Sequence, residues 1–436
     1  MKEVMMKKGS SLFFLLFIAC FTFSIATVSA QDETTPLVVN ASEVLSEVSP
    51  YVLGANYGAY GTLPPGQFDN AAASGVRFIR FPGGAAFDED GRDVSTIDVD
   101  LFMTICGIIS CEPSIQVRLY GGTPEQAAEM VEYVNIEKDY GVDYWYIGNE
   151  PNLYPEDYTV EDHITEWRAI AEAMLEVDPD ITLIGPDLSQ YADNAAATPK
   201  DANGADWMEA FLTANGDLVD IVSVHRYPFP QNNEITTIDD LRNNSSEWDT
   251  IIPFLREQVN ELTGEDKPLA ITEINSHWSN ILGGEASADS YFHAIWMADV
   301  LGRMIKNQVS IVTYFEFYGA PDRSFGLIDR YAVRPTYYAY QLYSKFGSRL
   351  VESSSEDLLV SIYAGLTEDG DLTLMVVNMG DDEVTKPLEL SGFTAGGDAE
   401  VWRFDPDHNA EMIGEETIGD SITVPGQSIT LYIVPS

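Results

Sequence analysis

Between residues 50 and 345, short β-rich apolar runs alternate with amphipathic stretches of helical period. The runs are Val52–Asn56, Val76–Phe81, Ser114–Tyr120, Tyr144–Ile147, Ile181–Ile184, Ile221–His225, Leu269–Thr272 and Ile311–Phe315. Between them, Thr123–Lys138 carries its own helix signals: Thr123 as cap, Pro124 in the first turn, Gln126 completing a capping box and Gly141 closing it. In Val160–Val177, Ile164, Trp167, Ala171 and Met174 fall on one face. Eight β-then-α units predict an α/β chain built as a (β/α)8 TIM barrel.

The rhythm changes near Phe346. From there to residue 436, apolar runs are split by Gly, Asp and Asn turns, which predicts a small antiparallel β-sandwich domain. The run "PLVVNAS", Pro36–Ser42, precedes the barrel without a βα partner and is expected to join that C-terminal sheet.

Residues 1–30 stand apart. Lys7 and Lys8 precede an apolar stretch from Leu12 to Ala26, and Val28-Ser29-Ala30 offers a small-residue cleavage site, the pattern of a secretory signal peptide. The expected location is therefore extracellular. Phe17-Ile18-Ala19-Cys20 loosely matches a lipoprotein box, so a lipid anchor at Cys20 is the alternative. Beyond the leader, no run is long and apolar enough for an integral membrane span.

Composition narrows the function. Hydrophobic residues make up 45% of the 436, enough for a large core. The formal charge is −47. Losing the leader removes three lysines and one glutamate and leaves −49. Such a surface repels nucleic acid and anionic membranes. The acids are dispersed, with no calcium-type loop and no zinc spacing. Cys106 and Cys111 leave two readings open, a short-loop disulfide or two free thiols. Oligomeric state is left open.

In such a barrel the chemistry lies at the C-terminal ends of the strands. Strand two ends in Arg80-Phe81-Pro82-Gly83-Gly84, strand four in Gly148-Asn149-Glu150-Pro151, strand six in His225-Arg226-Tyr227-Pro228 and strand seven in Thr272-Glu273-Ile274-Asn275. Glu150 and Glu273 thus face each other across the mouth. Two facing carboxylates are what glycoside hydrolysis needs, about 5–5.5 Å apart for retention and roughly 6.5–9.5 Å for inversion. Trp278 offers a sugar a stacking face. Asn275, His277, Glu316, Tyr318, Tyr57 and, more weakly, Asn56 are further lining candidates, and His225 reads either as a core histidine or as a sugar contact. No cofactor or metal is expected.

"GNEP" and "TEIN" resemble the acid/base and nucleophile motifs of clan A, the large clan of retaining glycoside hydrolases. "RFPGG", "YWYIGNEP" and "VHRYP" are similar to its arabinofuranosidase, β-xylosidase and endoglucanase families. "EINS", then "GG" and "AIWMADVL", are similar to its heparanase and β-glucuronidase branch. The resemblance implies that Glu150 is the general acid/base, Asn149 the amide on the sugar 2-hydroxyl, Glu273 the nucleophile, Tyr227 its hydroxyl partner and Arg80 its supporting cation. Where relatives place an aromatic platform after strand eight, this chain has "YFEFYG". The implied activity is retaining hydrolysis of an oligo- or polysaccharide (xylan, glucan, an arabinofuranoside or a uronic-acid glycan). The rival reading is an inactive glycan-binding barrel. Arg118 and Arg226 are the cations that would serve a polyanionic substrate.

Overall fold

The computed structural model describes residues 34–436 except 59–60, 89–90, 195–196, 230–235 and 281. Residues 1–30, expected to be a leader, and Cys20 among them lie outside the described residues. The chain begins with β1 (Leu37–Glu47). Eight strands then close a barrel in chain order: β2 (Gly54–Asn56), β3 (Phe78–Phe81), β4 (Glu112–Val117), β5 (Tyr144–Ile147), β6 (Thr182–Leu188), β7 (Ile221–Arg226), β8 (Leu269–Ile274) and β9 (Ile311–Tyr314). Every neighbouring pair is parallel, including β9 with β2. The helices are α1 (Phe68–Ala72), α2 (Thr96–Ile109), α3 (Pro124–Val131), α4 (Val160–Val177), α5 (Trp207–Asn215), α6 (Ile238–Asn244), α7 (Trp248–Thr263), α8 (Tyr291–Lys306) and α9 (Pro335–Tyr343).

The period of two explains the apolar strands. On β5, Tyr146 packs with Phe78, Ile184, Ile221, Ala270 and Ile311 inside the barrel, while Trp145 and Ile147 join the helix-side core. Both faces are buried, so both are apolar. α4 has the predicted bounds, set by a capping box between Thr159 and Asp162. The Thr123/Gln126 box is also present, but α3 ends at Val131 and a wider π-helical turn carries the chain on through Glu132–Glu137.

The second domain is one nine-stranded sheet, curled around its own core. Its C-terminal strands are β10 (Arg349–Ser355), β11 (Val360–Leu366), β12 (Leu372–Asn378), β13 (Val384–Ser391), β14 (Ala399–Asp405), β15 (His408–Glu416), β16 (Ser421–Val424) and β17 (Ser428–Val434). The order is β15-β14-β17-β12-β11-β10-β1-β13-β16. β1 runs antiparallel to β10 and parallel to β13, so the sheet is mixed rather than purely antiparallel. Leu37, Val39, Val360, Ile362, Leu374 and Tyr432 are among the residues that build its core.

α8 joins the two domains. It is apolar almost all round because barrel and sheet cover it from both sides. Asp299 on α8 is fully buried, accepts 2.7 Å from the Tyr363 hydroxyl and pairs with Arg303 at 2.9 Å. Gly302 sits directly under the Tyr363 ring, and a Cβ there would lie 2.1 Å from a ring atom. Gly302→Ala is therefore expected to destabilise the protein by about 1–3 kcal/mol through overpacking. Thermal unfolding beside the native chain checks this, and an unchanged midpoint would contradict the contact.

Candidate active site

The sequence around Glu150 sets its position through the backbone. β5 ends at Ile147, and Gly148 takes φ +84, where a Cβ would lie 2.7 Å from the Leu119 side chain. The Asn149 N–H donates to Asp88 Oδ2 at 2.9 Å and the Glu150 N–H donates to the Asp187 carbonyl at 3.1 Å. Glu150 itself is left-handed, φ +48, an uncommon conformation for a side-chain-bearing residue. Leu153 N–H then closes the turn on the Glu150 carbonyl at 2.8 Å.

Arg80, at the end of β3, is fully buried and organises the floor. Its Nη1 donates to Asn56 Oδ1 at 3.0 Å and to Glu273 Oε1 at 3.1 Å. Its Nη2 donates to Asn149 Oδ1 and to Asp187 Oδ2, both at 2.8 Å. Glu273 Oε2 accepts from the Tyr227 hydroxyl at 2.5 Å. His225 lies between the carboxylates, Nδ1 at 3.1 Å from Glu150 Oε1 and 3.7 Å from Glu273 Oε2. Carboxylate oxygens of Glu150 and Glu273 and a ring nitrogen of His225 all lie within 4.8 Å of one another.

Register irregularities aim these side chains. The β6–β7 pairing shifts between Pro186 and Leu188, β7–β8 between Val224 and His225, and β8–β9 between Ile271 and Ile274. Bulges beside active sites commonly redirect a side chain in this way.

The charges respond to burial and to each other. Burial pushes the Glu273 carboxyl up, and Glu150 adds to this against His225, Arg80 and Tyr227; the net direction is upward. Arg80 and Tyr227 do reach Glu273, but burial outweighs them. Burial would lower His225, yet Glu273, Asp187 and Glu150 raise it to about 9. Burial also opposes ionisation of Asp187, but Arg80, His225 and Ser223 hold it well below the usual carboxylate range.

Glu150, Glu273, Tyr227 and Trp278 line one cavity of about 470 Å³, with Phe315 and Phe325 forming an apolar wall. Trp278 is exposed, as a stacking face requires. Asn149 is buried beside the cavity, and its Nδ2 has no partner. Tyr57 faces a neighbouring cavity of about 460 Å³ instead, packed on Phe81 and Phe317, and its hydroxyl accepts from the Leu63 N–H. Asn275 points inward, donating to the Phe315 carbonyl at 2.6 Å, and His277 is buried against Thr236. Arg226 is paired with Glu247, and Arg118 with Asp93 and the Tyr120 carbonyl. Neither arginine lines the cavity. Cys106 and Cys111 are thiols whose sulfurs lie 2.8 Å apart.

Asp187 and Asp88 escaped the sequence reading, as did Arg323 and Phe325 on the cavity wall. Asp187 was hidden because the strand was expected to end at Ile184, before Gly185-Pro186. Asp88 lies in the loop after β3 and folds back to bind the Leu119, Tyr120 and Asn149 N–H groups, each at 2.9 Å. Its one signal was the acidic stretch after "RFPGG".

Among the described residues, Glu150, His225 and Glu273 are the one group that could hold a metal ion. Both Glu273 oxygens already accept from Arg80 and Tyr227, so a cation would compete with those donors.

No protein-family model matches the chain, and no curated protein matches it in sequence. Solved structures do match. A bifunctional glucanase-xylanase from a metagenome library superposes with TM-score 0.71 at 19% identity, over 93% of this chain and all of that one. A xyloglucanase of glycoside hydrolase family 44 from Paenibacillus polymyxa gives 0.71 at 16%, with the same coverage. The GH51 α-L-arabinofuranosidase from Thermotoga petrophila gives 0.70 at 19%, over 92% of this chain and all of that one. The chain shares the TIM-barrel-and-sheet fold of these glycosidases.

Within that fold Glu316 follows β9. It is buried, its Oε1 has no partner, and it does not line the 470 Å³ cavity. Burial pushes its carboxyl up to about 8, with Arg323 and Arg334 opposing. A carboxyl raised on folding loses stability as pH rises from the ordinary glutamate range through about 8. Glu316→Gln removes that loss. The melting temperature of Glu316→Gln should therefore gain on the native chain by several degrees between pH 5 and pH 8. A constant difference across that range would show that Glu316 ionises normally.

Proposed function

We propose that the protein is an exported, retaining O-glycoside hydrolase acting on an extracellular or cell-wall polysaccharide. One observation carries the reading: oxygens of Glu150 and Glu273 lie within 4.8 Å, at the ends of opposing barrel strands. That is close to the separation of about 5–5.5 Å associated with retention and short of the gap an inverting pair leaves for water.

The two environments assign the roles. Glu273 is 5% exposed and fixed through both oxygens, which suits a nucleophile attacking one anomeric carbon. Glu150 is 14% exposed on the cavity wall, which suits a group that protonates the leaving oxygen and then receives water. In the first step the Glu273 carboxylate bonds to the anomeric carbon as the C–O bond to the leaving group breaks and Glu150 gives its proton to that oxygen. In the second, Glu150 takes a proton from water, the hydroxyl bonds to the anomeric carbon, and Glu273 is released. The free Asn149 Nδ2 is the donor available to a sugar hydroxyl. Structural neighbours named for glucan, xylan, xyloglucan and arabinofuranosides support a polysaccharide substrate, and the leader pattern of residues 1–30 supports export.

The test uses aryl xyloside, glucoside, arabinofuranoside and glucuronide, with xylan and β-glucan, on the native chain, Glu273→Gln and Glu150→Gln. Glu273→Gln should lower kcat by roughly 10⁴-fold or more on the substrate that is turned over. Glu150→Gln should lose about 10²–10⁴-fold, least with the best leaving groups. Proton NMR of the first-formed sugar should show retained configuration. Inverted product, or full activity in Glu273→Gln, would overturn the mechanism.

A further inference from the structure

Asp187 belongs to none of the motifs that marked the site, and it does not line the cavity. It is 2% exposed and left-handed, φ +55, at the irregular end of β6. Its Oδ2 accepts from Arg80 Nη2 at 2.8 Å and lies 3.8 Å from His225 Nε2. Its Oδ1 accepts from Thr272 Oγ1 at 2.6 Å and from the Ser223 hydroxyl. Its N–H donates to Ser223 Oγ at 3.1 Å, and its carbonyl accepts the Glu150 N–H at 3.1 Å. One residue thus ties β3, β7 and β8 to the turn that presents Glu150.

The two branches from Asp187 end on the two proposed catalytic carboxylates. Through Arg80 it reaches Glu273. Through His225, whose Nδ1 faces Glu150, it reaches Glu150. We infer that Asp187 is the positioning residue of the site, the buried counter-ion that keeps His225 charged and holds Arg80 and the Glu150 turn in place. The catalytic part of this inference rests on the glycosidase reading; the electrostatic part does not.

A buried imidazolium needs compensating anions. The charged and titratable groups around His225 are Glu150 after β5, Asp187 on β6 and Glu273 on β8, with Arg80 of β3 bonded to Glu273 and Asp187 and the Tyr227 hydroxyl bonded to Glu273. During the proposed reaction Glu150 gains and loses a proton, and Glu273 gives up its charge while it is bonded to the anomeric carbon. Asp187 is the one anion of the three that keeps its charge throughout, because Arg80, Ser223 and Thr272 all donate to it. It can therefore hold the imidazolium through both steps.

The test reads His225 directly. The native chain is labelled with ¹⁵N-histidine and titrated by NMR, and the resonance missing in His225→Gln identifies the ring. In the native chain His225 should keep its proton to about pH 9. Asp187→Asn, matched in shape and uncharged, should lower that midpoint by about one unit or more. On whichever aryl glycoside is cleaved, Asp187→Asn should lower kcat about 100-fold with little change in KM, and should move the alkaline limb of the kcat/KM profile down with His225.

A native His225 that titrates in the ordinary histidine range overturns the inference with no variant needed, so a failure of Asp187→Asn to fold does not shield it. An unmoved His225 in folded Asp187→Asn overturns it as well. Loss of activity and melting temperature without a change in the pH profile would mark a merely structural aspartate. If no glycoside is cleaved at all, the glycosidase reading fails, while the His225 titration still decides the counter-ion.

Discussion

The barrel mouth depends on one buried cation. Arg80 is cut off from water, and a guanidinium there needs carboxylates and other acceptors to compensate its charge; its Nε has no partner, so the terminal nitrogens carry the compensation. Its two terminal nitrogens serve Asn56, Glu273, Asn149 and Asp187, which stand at the ends of β2, β8, β5 and β6. The ion thereby gathers strand ends that are far apart in sequence. Moving any of them strands a buried charge, so the arrangement is held much more tightly than apolar packing would hold it. The same condition fixes the charge balance. Arg80 faces two carboxylates, and His225 supplies the second cation in their midst.

How much of this was legible follows from where each signal resides. The bounds of β5 and α4 could be read because a β-rich run and a capping box are local. Arg80, Glu150, Tyr227 and Glu273 were visible because each closes an apolar run, and polar residues in such places have few structural uses. Directions were harder to read. Asn275 and Glu316 also end or follow strands, yet they turn into packing, because register shifts between β7, β8 and β9 break the alternation that would reveal their facing, while Tyr57, after β2, faces the neighbouring cavity. Asp187 was lost because Gly-Pro reads as a breaker while β6 continues through it to Leu188. Asp88 had only the acidic stretch after "RFPGG" to mark it, since its partners come from residues 119, 120, 149 and 154.

The sheet domain bears on the site through α8. That helix follows the segment carrying Trp278 and is enclosed by barrel and sheet, with Asp299, Arg303 and Tyr363 fixing the junction. β1 lies between β10 and β13, so the chain just before the barrel is tied to the chain just after it. A barrel whose first and last units are joined through one sheet resists opening between β9 and β2. That seam matters because Asn56, on β2, donates to the Thr272 and Thr313 carbonyls at 3.0 and 3.1 Å and also accepts from Arg80.

The asymmetry between the two glutamates is then a consequence of the same frame. Paired carboxylates divide their labour when their surroundings differ. Glu273 meets Tyr227 and Arg80 within hydrogen-bond distance and His225 just beyond it. In the proposed double displacement, each of these donors would stabilise the carboxylate that leaves the anomeric carbon in the second half. Glu150 has His225 on one oxygen and the cavity beside it, and its place is set through its backbone by Asp187. A carboxyl held by its main chain keeps a side chain that can pass a proton to and from substrate and water. The frame therefore fixes Glu273 through its oxygens and Glu150 through its backbone.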